Sequence, residues 1–208
     1  NGLSALAQDL VGLGNYNYIQ VTECLASLDQ VGFASPVSSP CQTAMVYLFL
    51  RTYFEKEGGA TYSETAEGTI TGGGIDFVRA LVTSQARGIT NLTDALQEDF
   101  ATLMGHFLAL LFLDPLALNE DYQFETPALD AFTEQYKGIS LRSDERIIDD
   151  TAYAVSAVSF SDFPQTTSIS LAQSQAQFYN FVPAAGTFEF SIAAPEGAGV
   201  HFMIIRNE

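Results

Sequence analysis

Apolar residues recur at intervals of three and four through Leu3, Leu6, Ala7, Leu10 and Leu13, a spacing that predicts an amphipathic helix. Gly12 and Gly14 end it. A weaker helical pattern follows at 18–28, around Ile19, Val21 and Leu25. Residues 42–57 predict a strong helix, apolar around most of its surface through Ala44, Met45, Tyr47, Leu48, Phe49, Leu50, Tyr53 and Phe54. A helix of that kind belongs at the centre of a core. Gly58 and Gly59 stop it. Residues 60–74 are rich in Gly, Thr and Glu and read as a loop or hairpin that closes on a flexible turn, Gly72-Gly73-Gly74. Helical spacing resumes at 75–87 through Phe77, Val78, Leu81 and Val82, with Gly88 as its C-cap. One long helix is then expected at 92–113. Thr90 or Asn91 caps its start, and Leu96, Phe100, Leu103, Met104, Phe107, Leu108 and Leu111 form its buried stripe.

From Thr151 the period changes to two. Short alternating runs lie around Val155 and Ala157, and at 168–171, 175–182, 187–192 and 199–205, with Pro183, Gly186, Pro195 and Gly197 between them. Period two with regular turn residues predicts an antiparallel sandwich. Five short strands are few for a closed one, so this part is expected to lean on the helices. Its last strand is free to pair within the sheet or with a neighbouring chain. The expected fold class is therefore α+β. A helical bundle at 1–115 is followed by an acidic irregular connection at 116–150 and a small antiparallel β-sandwich-like module at 151–208.

Charge narrows the partners. The 208 residues carry 25 acids against 8 Lys and Arg, a net charge of −17. A phosphate backbone needs Lys and Arg to displace its counterions, so nucleic acid is not an expected partner. Anionic lipid is disfavoured for the same reason. The longest apolar run, 107–113, is far short of the roughly 20 residues of a spanning helix. No signal peptide is visible, and the chain opens at Asn1 inside a helical pattern, as a mature or cleaved product would.

Two cysteines, Cys24 and Cys41, flank a stretch rich in Ser, Gly and Pro. A disulfide between them would close an irregular loop and stabilise the fold by about 3 kcal/mol; two buried free thiols are the other reading. Few lysines and many Ser, Thr and Gly suit an extracellular or cell-surface protein, where disulfides persist. Asn91-Leu92-Thr93 fits the N-glycosylation sequon.

Catalytic chemistry finds little support. Zinc hydrolysis needs clustered imidazoles or thiolates, and the two histidines are His106, on an apolar helix, and His201, on the last strand. No Gly-x-Ser-x-Gly elbow is present. Gly72-Gly73-Gly74 lacks the Lys-Ser/Thr of a phosphate loop. No catalytic residue, metal ligand or cofactor-binding residue is singled out. The acids of 114–150 offer oxygen ligands suited to calcium, with Glu120, Asp121, Asp144, Glu145, Asp149 and Asp150 the best clusters. A solvated acidic surface explains the same residues.

The run Asn1-Gly2-Leu3-Ser4-Ala5-Leu6-Ala7-Gln8-Asp9-Leu10 resembles the segment that follows the His-Glu-x-x-His helix in secreted zinc metallopeptidases of the hyicolysin type, a gluzincin group. There the pattern is close to Asn-Glu-Gly-Leu-Ser-x-Leu-Ala-Glu-Asp. Residues 44–58, with Tyr47-Leu48-Phe49-Leu50-Arg51, are similar to a later helix of the same group. The resemblance covers residues 1–115 and implies a β module after the helical half. His-Glu-x-x-His is absent from this chain. The family's third zinc ligand is the Glu between Asn and Gly, and here Asn1 is followed directly by Gly2, while Gln8 replaces a later acid. No catalytic residue carries over.

Two functional expectations follow. The first is a non-catalytic secreted or cell-surface structural protein on a degenerate peptidase-like scaffold, self-associating or binding another extracellular protein, as a fibre subunit would. The alternative is the C-terminal processed fragment of a secreted zinc metallopeptidase. A calcium-dependent carbohydrate- or surface-binding module is a third class.

Overall fold

A computed structural model describes residues 2–10, 24–25, 27–33, 39–63, 69–113, 155, 157–164, 166–171, 175–182 and 189–204. Among the described residues of the first half are five helices, α1 (Gly2–Leu10), α2 (Pro40–Lys56), α3 (Gly73–Thr83), α4 (Ile89–Leu96) and α5 (Phe100–Leu113). A short antiparallel hairpin, β1 (Thr61–Ser63) with β2 (Thr69–Thr71), links α2 to α3. The second half holds β3 (Ala157–Phe160) and β4 (Phe178–Phe181). The mixed α+β composition matches the pattern along the chain.

The central helix is α2. It starts at Pro40, two residues before the expected start at 42, because Ser39 accepts the Gln42 amide on its hydroxyl at 3.0 Å and Pro40 occupies the first turn. A Ser cap followed by Pro is pre-organised for this, since Pro lacks an N–H that would go unpaired there. Every residue from Tyr47 to Phe54 is buried. Arg51 among them is fully enclosed; its Nε donates to Glu55 Oε1 at 2.6 Å, and its guanidinium lies 5.9 Å from the Phe54 ring centroid. A buried cation needs such partners, because water no longer solvates it.

The disulfide is formed: Cys24 and Cys41 are bonded, with Cα atoms 5.2 Å apart. It holds a turn at 27–30 to the first turn of α2, and the Phe33 carbonyl accepts from the Gln42 side-chain amide at 3.0 Å. Phe33 then inserts between helices, edge-on to Phe49 at 5.4 Å and to Phe107 at 5.5 Å. The expected irregular loop is thus partly built into the core.

Gly72-Gly73-Gly74 differs from expectation. Gly72 caps α3 with φ at 134°, and Gly73 and Gly74 form its first turn against the end of α2. A Cβ on Gly74 would lie 2.7 Å from the Gly59 carbonyl oxygen and would overlap the Phe54 carbonyl. The triplet is a close-packing device rather than a flexible turn, because hydrogen is the largest substituent that fits between two backbones. Gly74→Ala is expected to lose about 1–3 kcal/mol in urea unfolding, as overpacked sites do. Gly199→Ala, at a position with open space around it, is the matched control and should be near neutral.

The helix expected at 92–113 is two helices. Gln97 takes a left-handed conformation at φ 53° and ends α4, and Asp99 restarts the chain as α5. Gly88, expected to end α3, instead precedes α4 at φ 62°, and α3 stops at Thr83. Neither Thr90 nor Asn91 is the N-cap of its own helix; that place is taken by Gly88, and both lie inside α4. The polar triplet Gln97-Glu98-Asp99 fills the interval between Leu96 and Phe100, and an Asp three residues before Thr102 is a capping signal in its own right.

The strands also depart from the expectation. β3 and β4 pair in parallel, Ala157 beside Phe178 through Phe160 beside Phe181. Residues 161–177 separate them, long enough for the crossover a parallel pair requires, whereas an antiparallel hairpin closes over a short turn. Among the described residues, 168–171, 189–192 and 199–204 carry no strand ladder, so a sandwich is not formed by them. Alternation marks a face that prefers burial and does not by itself supply a ladder partner.

Candidate association surface

The second half rests on the first through a few defined contacts. Ala176 donates its amide to the Leu28 carbonyl at 3.2 Å, and Phe178 stacks on Phe112 with centroids 5.6 Å apart. Val155 and Phe178 pack against the helical core. Residues 199–204 pass α5, where the Met203 thioether end lies 3.3 Å from the place a Cβ would take on Gly105. Small size at Gly105 makes room for that crossing.

Outward from these contacts the surface is apolar. Among the described residues, every exposed large hydrophobic except Val82 and Ile89 lies between Val158 and Ile204. Val200, Phe202 and Ile204 alternate along the last segment at 51%, 66% and 65% exposure. On the strand pair Phe160 stacks with Tyr179 at 5.7 Å and with Phe181 at 5.6 Å, and Phe181 stacks in turn with Phe190 at 6.1 Å. Residues 157–204 contain no Lys or Arg, and their acids are Asp162, Glu189 and Glu196. The negative charge of the chain therefore sits mostly elsewhere.

Parallel strands normally have both faces covered, and an isolated pair of short strands is marginally stable in water. Here β4 is half-buried at Phe178 and Tyr179 and exposed at Asn180 and Phe181. Burying apolar surface is worth about 25 cal/mol per Å². Leaving this face in water therefore costs free energy.

At the edge of the surface, Asp99 caps the start of α5. Its carboxylate accepts from the Thr102 hydroxyl at 2.6 Å and from the amides of Ala101 and Thr102 at 3.0 and 3.1 Å. The Thr102 hydroxyl and amide bonds, together with the Ala101 amide and the nearby charge of His201, hold the Asp99 carboxyl below its ordinary value. A carboxylate with a depressed folded-state value stabilises the fold above its unfolded value, and the contribution disappears as pH falls through the folded one. The melting-temperature gap between the wild type and Asp99→Asn is therefore expected to be full at pH 7 and to close on acidification below about pH 4. A gap that persists at low pH would assign the effect to side-chain packing instead.

The residues singled out from sequence separate clearly. Cys24 and Cys41 come together; His106 is half-buried on α5 and His201 lies exposed against its start. Glu120, Asp121, Asp144, Glu145, Asp149 and Asp150 lie outside the described residues. Among the described residues no three His, Cys, Asp or Glu side chains group as a metal would require, and no helix is long and apolar enough to cross a membrane. Sequence reasoning flagged the final strand for pairing but missed the aromatic stack, whose signal was the run Phe178-Tyr179-Asn180-Phe181. The chain matches no protein-family model, no curated protein and no solved structure, so the surface is read from its own chemistry.

Proposed function

We propose that this chain is a non-catalytic extracellular structural or assembly protein, built on a peptidase-like helical scaffold and associating through its second half. The supporting observation is the apolar, low-charge surface that the described residues between Val158 and Ile204 expose, beside a parallel strand pair. The disulfide is compatible with an oxidising, extracellular compartment. Heterologous contacts of such a face would not close on themselves, and copies would add into a fibre.

Sedimentation velocity over a concentration series, with electron microscopy of the same samples, tests this. The wild type is expected to form polymers, and Phe202→Asp with Ile204→Asp is expected to leave a folded monomer. A wild type that stays monomeric at the highest concentration overturns the proposal.

A second reading is favoured by one observation. α1 and α2, which carry the metallopeptidase resemblance, pack directly on each other; Gly2 is so close to α2 that a Cβ there would overlap the Val46 side chain. Under this reading the chain is the C-terminal processed part of a secreted zinc metallopeptidase. An in-frame His-Glu-x-x-His encoded upstream of Asn1 would support it. A signal peptide encoded immediately before Asn1 would end it.

A further inference from the structure

The sequon Asn91-Leu92-Thr93 lies on α4, and its asparagine has a structural task. The last carbonyls of a helix have no partner within it. At the end of α3 the Ala80 carbonyl is taken by the Ser84 amide, and the next one, Leu81, accepts from Asn91 Nδ2 at 2.9 Å. Asn91 thus caps α3 from a neighbouring helix, ten residues along the chain. The other end of the same amide, Oδ1, is closed off from solvent with no hydrogen-bond partner. The oxygen end of the group is thus enclosed, and the nitrogen end is half-buried and engaged with α3.

N-glycosylation replaces one Nδ2–H with a bond to the anomeric carbon of a sugar, releasing a proton and the lipid diphosphate that carried the glycan. The sugar would have to emerge from the nitrogen that faces Leu81. We infer that Asn91 is an interhelix latch and that its sequon is closed to glycan attachment once α3 and α4 have docked. A glycan attached earlier would keep the two helices apart, so occupancy and native packing exclude each other at this site.

The test is secretion of the full chain from a eukaryotic host, with intact mass and melting temperature as readouts. Thr93→Ala removes the sequon and leaves Asn91 in place; the Thr93 hydroxyl makes one exposed bond, to the Thr90 carbonyl. Val82→Asn creates a second sequon, Asn-Thr-Ser, at a position 64% exposed in the same region. The secreted wild type is expected to have the mass of its polypeptide and to melt with Thr93→Ala. Val82→Asn is expected to gain one glycan. Any chain glycosylated at Asn91 should be retained in the cell or melt lower. Equal occupancy of the two sites overturns the inference, and so does a secreted wild type carrying a glycan at Asn91 that melts with Thr93→Ala.

Discussion

Phe49→Ala is expected to destabilise the protein by about 3–5 kcal/mol, the range for removing a buried aromatic ring from a core. The ring is 1% exposed. It lies 4.9 Å from Tyr53, 5.3 Å from Phe107, 5.4 Å from Phe33 and 6.2 Å from Phe100, centroid to centroid. These neighbours come from α2, α5 and the turn segment held by the disulfide, so one truncation removes contacts that join three parts of the chain. Collapse around the void is hindered on one side, because the Tyr53 hydroxyl is fixed to the Leu103 carbonyl at 2.6 Å. Burial, with Glu98 nearby, pushes that phenol well above its usual value, which keeps it a neutral donor at every pH of interest. A domain is stable by only ~5–15 kcal/mol in total. Urea unfolding should therefore show a large fall in midpoint with little change in slope. Val82→Ala, at an exposed site, should change stability by less than about 0.5 kcal/mol. Equal effects of the two would show that the aromatic cluster is not the organising core.

The central helix was the most legible feature in the sequence, because apolar residues on nearly every side of it have one physical solution, full enclosure. The cysteine pair was legible for a related reason: Ser, Gly and Pro between two thiols mark a loop that gains from closure. Arg51 was not read as a core residue. A charged side chain inside an apolar run carries no local signal of burial; Glu55 one turn later and Phe54 beside it decide the matter in three dimensions. Gly72-Gly73-Gly74 was misread because flexibility and close packing demand the same residue, and only the neighbouring backbone distinguishes them. The break at Gln97 escaped because the stripe of 92–113 stays in phase across it. The strands were the least legible. Period two reports a face that prefers burial, and it is silent on direction and partner. The two chemistries most open from sequence, calcium at Glu120, Asp121, Asp149 and Asp150 and pairing by the last segment, rest on groups outside the described residues or on a partner.

Removing the disulfide, as Cys24→Ala with Cys41→Ala, is expected to lower stability by about 3 kcal/mol and the melting temperature by roughly 6–12 °C. The cross-link spans 17 residues of sequence, and its main action is to restrict the unfolded chain. A second action belongs to the folded state. Cys24 is fully buried, and the bond ties its segment to the first turn of α2 while Phe33, on the same segment, inserts against Phe49 and Phe107. Loosening the segment weakens the hold on Phe33, and removing the Phe33 ring leaves the disulfide less native packing to support. The two changes should therefore fail to add. A double-mutant cycle between the disulfide and Phe33→Ala is expected to give a coupling above about 0.5 kcal/mol, beyond the scatter of independent sites. Strict additivity would mean that the bond acts through the unfolded chain alone. An unchanged melting temperature in the cysteine-free variant would remove the cross-link from the stability of this fold altogether.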